Sequence, residues 1–412
     1  MKVLQVTCSS KGGAGIAALR LHNALQENNV QSAYVSVNLT INFENKEIVD
    51  PFFFYKKPSL LQKIVNKIVA IIKPTRRSRI IDKVHKYKKV AMDFELFSSP
   101  FSTFRIEEHP LFKEADIINL HWVSGVIDYS LFFKNCKKPI VWTLHDMNPF
   151  SGVFHYKNDS LNNSTEINKF NNLVKELQKK NINKIKKGTI VSPSKWLLDE
   201  ADQSGFFPKF KKVTIANSID TSIFKIQDKN TLRKKYSIPK DEFTVLFVAD
   251  NINNYRKGFD LLVDSLTYLE KLPMTIITIG QTKSLTNNNI KTISFGKVTE
   301  IEKLVEIYGL ADVFVLPSRE DNLPNVILES FSVGLPVISF NVGGIKEHVL
   351  PNKTGFISEN LTGESLAKTI NEFYDCKSEF DAHYLRHYAE NNFNFKNQYL
   401  NYFEVYKELL CK

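Results

Sequence analysis

Residues 313–341 read VFVLPSREDNLPNVILESFSVGLPVISFN. An apolar run (313–318) opens the stretch, a helix-like run carrying Glu329 follows, Gly334-Leu335-Pro336 stops it, and a second apolar run (336–341) closes it. Strand, helix and strand in this order predict a parallel sheet covered on both faces. The carboxylates are what make the stretch unusual. Glu320 and Asp321 stand before Leu323-Pro324, and Glu329 stands beyond them inside the apolar run. Charge at both ends of such a segment is costly unless it binds something. Pro324 suits the first turn of a helix, which leaves Asn325 and Val326 with open backbone N–H groups. A helix start of this kind is an anion site. Acids there also complement the helix dipole, which accounts for Glu320 and Asp321 but not for Glu329, past the first turn.

The same alternation extends in both directions. Strand-like runs fall at 2–8, 32–37, 115–122, 139–145, 188–194 and 213–220, with an amphipathic helix at 14–26. A charged connector (224–242) precedes a second series at 243–250, 274–280, 291–296, 313–318 and 336–341, with a helix at 257–269. The pattern predicts an α/β chain of two doubly wound, Rossmann-like domains, 1–220 and 221–390, hinged near 220–242. An aromatic-rich helix (391–412) is expected to pack back on the first domain. Ligands of such sheets sit at the carboxyl ends of the strands, and two sheets facing each other would form a cleft. A length of 412 residues fits two cores better than one.

Composition narrows the class. Cys8, Cys136, Cys376 and Cys411 show no paired spacing, against a zinc site or disulfide framework and in favour of a reducing cytosol. No apolar run approaches the ~20 residues that span a bilayer. The opening MKVLQVTCSS is too short in its apolar part for a signal peptide and reads as a buried strand. The net charge of +11 concentrates between Tyr55 and Val90, where twelve Lys and Arg meet one acid, Asp82. Within this insert, SLLQKIVNKIVAIIKP (59–74) places Leu60, Leu61, Ile64, Val65, Ile68, Val69 and Ile72 on one helical stripe. Lys63 and Lys67 flank the stripe, and Arg76, Arg77 and Arg79 follow Pro74. Such a cationic amphipathic helix reads as a membrane-surface element at the inner face of the cell membrane. The alternative is a surface helix packed on its own domain. Nucleic acid is disfavoured, since the cluster lacks aromatic stacking platforms.

Further motifs share one resemblance. With the 312–344 segment, HDMNPFSGVFHY (145–156), SPSKWL (192–197), NSID (217–220) and RKGFDLL (256–262) resemble, in order, the retaining GT-B glycosyltransferases of family 4. Similarity is greatest to bacterial enzymes of exopolysaccharide, capsule and O-antigen assembly. The resemblance implies a hexosyltransferase, which the cysteine usage and the basic insert would place in the cytoplasm, peripheral to the membrane. Its donor would be a nucleotide-diphosphate sugar and its acceptor a lipid-linked glycan presented at anionic membrane. It places the family's two acids, with seven residues between them, on Asp321 and Glu329. Asp321 would bond hydroxyls of the donor sugar and Glu329 the ribose hydroxyls of the nucleotide. Asn322, Asn325 and Val326 would line the donor, and Lys257 would meet the diphosphate. The family's arginine five residues before that lysine is Ile252 here, so Arg256 is expected to supply the second charge. The glycine loop with Gly12 and Gly13 would let backbone approach the diphosphate. Its spacing is not the dinucleotide G-x-G-x-x-G, which argues against an oxidoreductase.

His145, ending a strand, resembles the family's active-site histidine, whereas His121 and His155 read as structural. No Asp-x-Asp motif sits in a suitable loop, so neither metal nor cofactor is expected. Charge and helix dipole would serve the leaving diphosphate instead. A nucleotide-sugar epimerase of the same architecture and a non-catalytic membrane-associated binding protein are the rival readings.

Overall fold

The computed structural model describes residues 1–38, 48–49, 59–61, 64, 75–89, 96–161, 163–252, 254–269, 272–281 and 290–411. Most of the apolar stripe, with Lys63 and Lys67, lies outside them. The chain divides into two compact units. The first holds residues 1–193, 197–215 and 399–412, and the second holds 194–196 and 216–398.

Among the described residues, the first unit is built on seven strands: β1 (Lys2–Ser9), β2 (Gln31–Asn38), β3 (Ile48–Val49), β4 (Ile117–Leu120), β5 (Ile140–Thr143), β6 (Gly188–Ser192) and β7 (Phe210–Thr214). They pair in the order β3-β2-β1-β4-β5-β6-β7, and every pairing is parallel. β4, β5 and β6 are buried along their whole length, as expected of strands covered on both faces. The C-terminal helix, Phe395–Cys411, sends Tyr402, Tyr406 and Leu409 into the core formed by Val3, Leu21, Ile117 and Val141.

The basic segment supplies one well-described helix, Arg76–Lys88, with Thr75 capping it by accepting from the Ser78 amide. Ile80, Val84 and Tyr87 pack against Phe97, Phe101, Phe154 and Phe170. This helix therefore buries its apolar side in its own unit.

The second unit holds β8 (Phe243–Asn251), β9 (Met274–Gln281), β10 (Lys291–Ser294), β11 (Val313–Leu316), β12 (Val337–Phe340) and β13 (Gly355–Ser358). The order is β10-β9-β8-β11-β12-β13, again wholly parallel. β11 and β12 are fully buried. One expected strand is displaced: the run at 213–220 is a strand only to Thr214, and the strand itself begins at Phe210. As the edge strand it pairs with β6 alone and can carry Lys211 and Lys212. The Ile215 amide still donates to the Ser192 carbonyl of β6 at 2.9 Å, and residues 216–220 form no strand.

In both sheets chain order reverses next to the first strand, between β1 and β4 and between β8 and β11. Loops leaving the two strands at such a switch point diverge to opposite faces and leave a crevice at the carboxyl edge.

Candidate functional site

In the second unit, the switch point brings two loops together. Leaving β8, residues Tyr255–Lys257 form a single 3-10 turn whose start is capped by Asn254 Oδ1, which accepts from the Arg256 amide at 3.0 Å. Gly258 follows at φ +68°, and a Cβ there would lie 1.8 Å from the Pro317 carbonyl oxygen. Only glycine meets both demands. The glycine of the RKG motif thus presses this turn onto the loop leaving β11. The Arg319 amide donates to the Arg256 carbonyl at 2.8 Å, joining the loops further. Arg319 also forks onto Asp260 and stacks over the Tyr255 ring at 3.9 Å.

Asp321 sits in the angle between the loops, only 6 % exposed. Its Oδ2 contacts the Arg256 guanidinium at 2.9 Å and the Lys257 ammonium at 2.8 Å. Burial alone would raise its pKa, but Arg256 and then Lys257 outweigh that and hold it at about 2. Two cations and one carboxylate leave one net positive charge. Arg256 also donates to the Glu320 carbonyl at 3.0 Å, which aims its guanidinium.

The helix Asn325–Ser332 begins four residues after Asp321. Pro324 is the residue before its first turn, one place earlier than the sequence suggests, with extended backbone (φ −70°, ψ 136°). Asn325 and Val326 therefore are the first two helical residues, and Asn325 Oδ1 accepts from Asn217 at 3.3 Å. Glu329 lies one turn in, 8 % exposed, and accepts from the Tyr308 hydroxyl at 3.0 Å. Asn322 accepts from the hydroxyl of Ser194, which clusters with this unit. Gly343 and Gly344 close over the backbone of Asp321 and Asn322. A Cβ on Gly343 would fall 1.7 Å from the Asp321 carbonyl oxygen, and the Gly344 amide donates to that oxygen at 3.2 Å.

Arg256, Lys257, Asp321, Asn322, Asn325, Val326 and Glu329 are thus gathered at one sheet edge. Ser194, Tyr308 and Arg319 were not expected there. Ser194, from the SPSKWL motif, and Tyr308 come from other parts of the chain, whereas Arg319 lies two residues before Asp321.

The remaining expected residues belong to the first unit. Gly12 (φ +75°) and Gly13 begin the helix Gly12–Glu27 directly after β1. His145 lies just past β5 and His121 just past β4, on adjacent strands. Their rings stack with centroids 5.4 Å apart, and His121 Nδ1 lies 3.1 Å from His145 Nε2. Burial lowers the pKa of His145 to about 4, against a smaller opposing pull from Asp146. Asp146 is itself engaged by His155 Nδ1 at 2.6 Å and Trp122 Nε1 at 2.8 Å, and His155 Nε2 meets Ser98 Oγ at 2.6 Å. His155 is fully buried in this network, in keeping with a structural role.

Among the expected membrane residues, Arg77 is directed inward. It pairs with the buried Asp128 at 2.6 Å, donates to the Ser102 carbonyl at 3.0 Å and lies 4.9 Å over the Phe101 ring. It therefore leaves the lipid-facing set, while Arg76 and Arg79 are exposed. Among the described residues no helix is long and apolar enough to cross a membrane. Nor do three His, Cys, Asp or Glu among them converge to hold a metal ion.

Residues 228–392 match the family described as Glycosyl transferases group 1. The chain is 31% identical over 144 residues to the O-antigen biosynthesis glycosyltransferase WclY of Escherichia coli, covering 33% of this chain and 39% of that protein. It is 27% identical over 205 residues to the capsular polysaccharide biosynthesis glycosyltransferase CapM of Staphylococcus aureus, covering 45% and 53%. These matches span about half the length of the curated relatives, or less. Among solved structures, Anabaena HepE in complex with UDP superposes with a TM-score of 0.64 at 16% identity, covering 99% of this chain and 100% of that one. The architecture is therefore of the GT-B type, and the family match falls within the second unit.

Proposed function

We propose that the chain is a retaining glycosyltransferase moving a hexose-type sugar from a nucleotide-diphosphate sugar to a lipid-linked glycan, in the synthesis of a bacterial surface polysaccharide. The observation that carries this reading is the Arg256–Asp321–Lys257 cluster at the switch point of a group 1 domain, one loop before a helix start. Cations beside a helix N-terminus are disfavoured by its dipole, so an anionic ligand accounts for their presence. Arg256, Lys257 and the amides of Asn325 and Val326 would hold the diphosphate. Glu329, aimed by Tyr308, would accept the ribose hydroxyls, and Asp321 with Asn322 would bond the sugar. Gly12 and Gly13 are proposed to let backbone approach the diphosphate, and His145 to act near the transferred sugar.

In the mechanism proposed, the acceptor hydroxyl attacks the anomeric carbon from the face that the diphosphate leaves. The carbon–oxygen bond to the diphosphate breaks as the new glycosidic bond forms, and a departing phosphate oxygen takes the hydroxyl proton. The positive cluster stabilises the charge growing on that leaving group. The relatives' printed roles in O-antigen and capsule synthesis support a glycan acceptor. The cationic segment supports presentation at an anionic membrane, through Lys63, Lys67, Arg76 and Arg79.

A thermal-shift screen over UDP-, GDP- and ADP-sugars tests the reading, because a ligand bound to the folded state raises the melting temperature with its concentration. One nucleotide sugar is expected to stabilise the wild type. Glu329→Ala and Lys257→Ala each remove a charge-assisted hydrogen bond, and should weaken its use by roughly ten- to a hundredfold. Undiminished transfer in both variants refutes the site.

A further inference from the structure

The pair His121–His145 does not end at His121. On the far side of its ring, His121 Nε2 lies 2.8 Å from Gln5 Oε1. The Gln5 amide nitrogen in turn donates to the Tyr406 hydroxyl at 3.5 Å, which also accepts from Asn119 at 3.0 Å. A chain of polar groups thus runs from the C-terminal helix, through the centre of the sheet, to the carboxyl ends of β4 and β5. His121 is 3 % exposed, and Gln5 and Asn119 are fully buried.

The direction of each bond follows from what each atom can do. An amide oxygen only accepts, so the proton of the Gln5–His121 bond sits on His121 Nε2. Burial and the neighbouring His145 keep the His121 ring neutral. Its Nδ1 then has a lone pair and no proton. The 3.1 Å contact to His145 is a hydrogen bond only if His145 Nε2 carries the proton. A neutral His145 with its proton on Nε2 has its acceptor at Nδ1.

We propose that His121 is a positioning residue, oriented by Gln5, that holds His145 in the Nε2–H tautomer so that Nδ1 serves as an acceptor toward a hydroxyl of the transferred sugar. The role in transfer rests on the proposed function, whereas the tautomer does not. The bond also fixes the plane of the His145 ring. Sequence spacing gives no hint of the pairing, since His121 and His145 lie 24 residues apart on separate strands. The titratable groups set against the pair include Asp146 beside His145 and Tyr406 beyond Gln5, and each ring acts on the other.

The test is Gln5→Glu, which keeps the side-chain shape and replaces an amide by a carboxylate. A carboxylate beside Nε2 favours the charged His121 ring, whose Nδ1 then bears a proton. His145 Nε2 must become an acceptor, and its proton must move to Nδ1. Long-range nitrogen–proton spectra of ¹⁵N-histidine-labelled protein read this directly, with His145→Asn and His121→Asn assigning the two rings. Both rings are expected in the neutral Nε2–H form in the wild type, and His145 in the Nδ1–H form in Gln5→Glu.

Transfer is measured in parallel, with the nucleotide sugar selected by the thermal-shift screen. Gln5→Glu should lower kcat by roughly ten- to a hundredfold while KM changes by about twofold or less. Its kcat should recover as pH rises through the new His121 pKa, where the wild type is flat between about pH 5.5 and 8. His121→Phe, which removes the acceptor and fills the space, should leave His145 in mixed tautomers. An Nδ1–H form of His145 in the wild type, or a His145 unmoved in Gln5→Glu, overturns the relay. A switched tautomer with unchanged kcat overturns its role in transfer. A wild type that transfers no sugar refutes the proposed function, and the spectra still decide the relay.

Discussion

Replacing Asp321 by Asn separates two demands made on one carboxylate. In the ligand-free protein Asp321 is the shared anion of Arg256 and Lys257. Its pKa falls from the ordinary 3.8 to about 2, a preference for the charged form worth about 2 kcal/mol. The sign follows from the depression. The stabilisation is fully present above the unfolded pKa near 4, and it is lost as pH falls through the folded value near 2. At neutral pH the variant should therefore unfold about 2 kcal/mol more easily in its second unit, with the gap closing between about pH 4 and pH 2.

Nucleotide binding should move the other way. Freed of Asp321, the two cations present two net charges to a diphosphate instead of one, so UDP or its equivalent should bind at least as tightly as to the wild type. Transfer should nevertheless be largely lost, because the amide cannot accept from the sugar hydroxyls as a carboxylate does. Urea unfolding across pH, calorimetry with the free nucleotide diphosphate and a transfer assay together decide it. Nucleotide affinity lowered tenfold or more, or transfer intact, would refute this division of labour.

Gly258→Ala must strain the backbone at φ +68° and drive a Cβ toward the Pro317 carbonyl, so it should cost about 1–3 kcal/mol or more and displace Lys257. A lower melting temperature together with lost nucleotide binding is expected; a fully stable, binding-competent variant would contradict the close approach. EDTA should leave transfer largely intact, since two cations already face the leaving group, and full loss restored by magnesium or manganese would count against that. Replacing Lys63, Lys67, Arg76 and Arg79 by Gln should release the protein from anionic vesicles in co-sedimentation, each cation near the surface being worth about 1 kcal/mol and sensitive to salt. Arg77 is left in place because it holds Asp128, and a wild type that ignores such vesicles at low salt ends the membrane proposal.

What the sequence discloses and what it hides divide along physical lines. Strands buried on both faces, such as β5 (IVWT) and β11 (VFVL), must be continuously apolar, and they stand out within a residue or two. The edge strand β7 (FKKVT) needs apolar contacts on fewer sides, carries two lysines, and so was placed three residues late. β3 has only two residues, and β13 (GFIS) opens on glycine and is buried only at its two ends, so neither shows a continuous apolar run. The helix at Thr165–Ile182 is marked in the sequence chiefly by its start signal, Ser164, whose hydroxyl accepts from the Ile167 amide.

For the candidate site, the legible part is local. Asp321 and Glu329 are eight positions apart on one loop and helix, and Arg256 and Lys257 are adjacent on another, so their residue types and spacing suffice. The hidden part is the set of contacts that the sheet order creates between loops. Gly258 against Pro317, Arg319 against Asp260, Gly343 against Asp321 and Tyr308 against Glu329 are all meetings of segments separated by 20 to 60 residues. Each follows from β8 lying beside β11, or from the helices and loops that flank those strands, and neither pattern nor propensity specifies strand order. The same holds for Gln5, His121, His145 and Tyr406, whose alignment depends on β1, β4 and β5 being neighbours beneath the last helix. A histidine is legible as a candidate where a strand ends; which of its nitrogens holds the proton is decided by residues that only the fold brings to it.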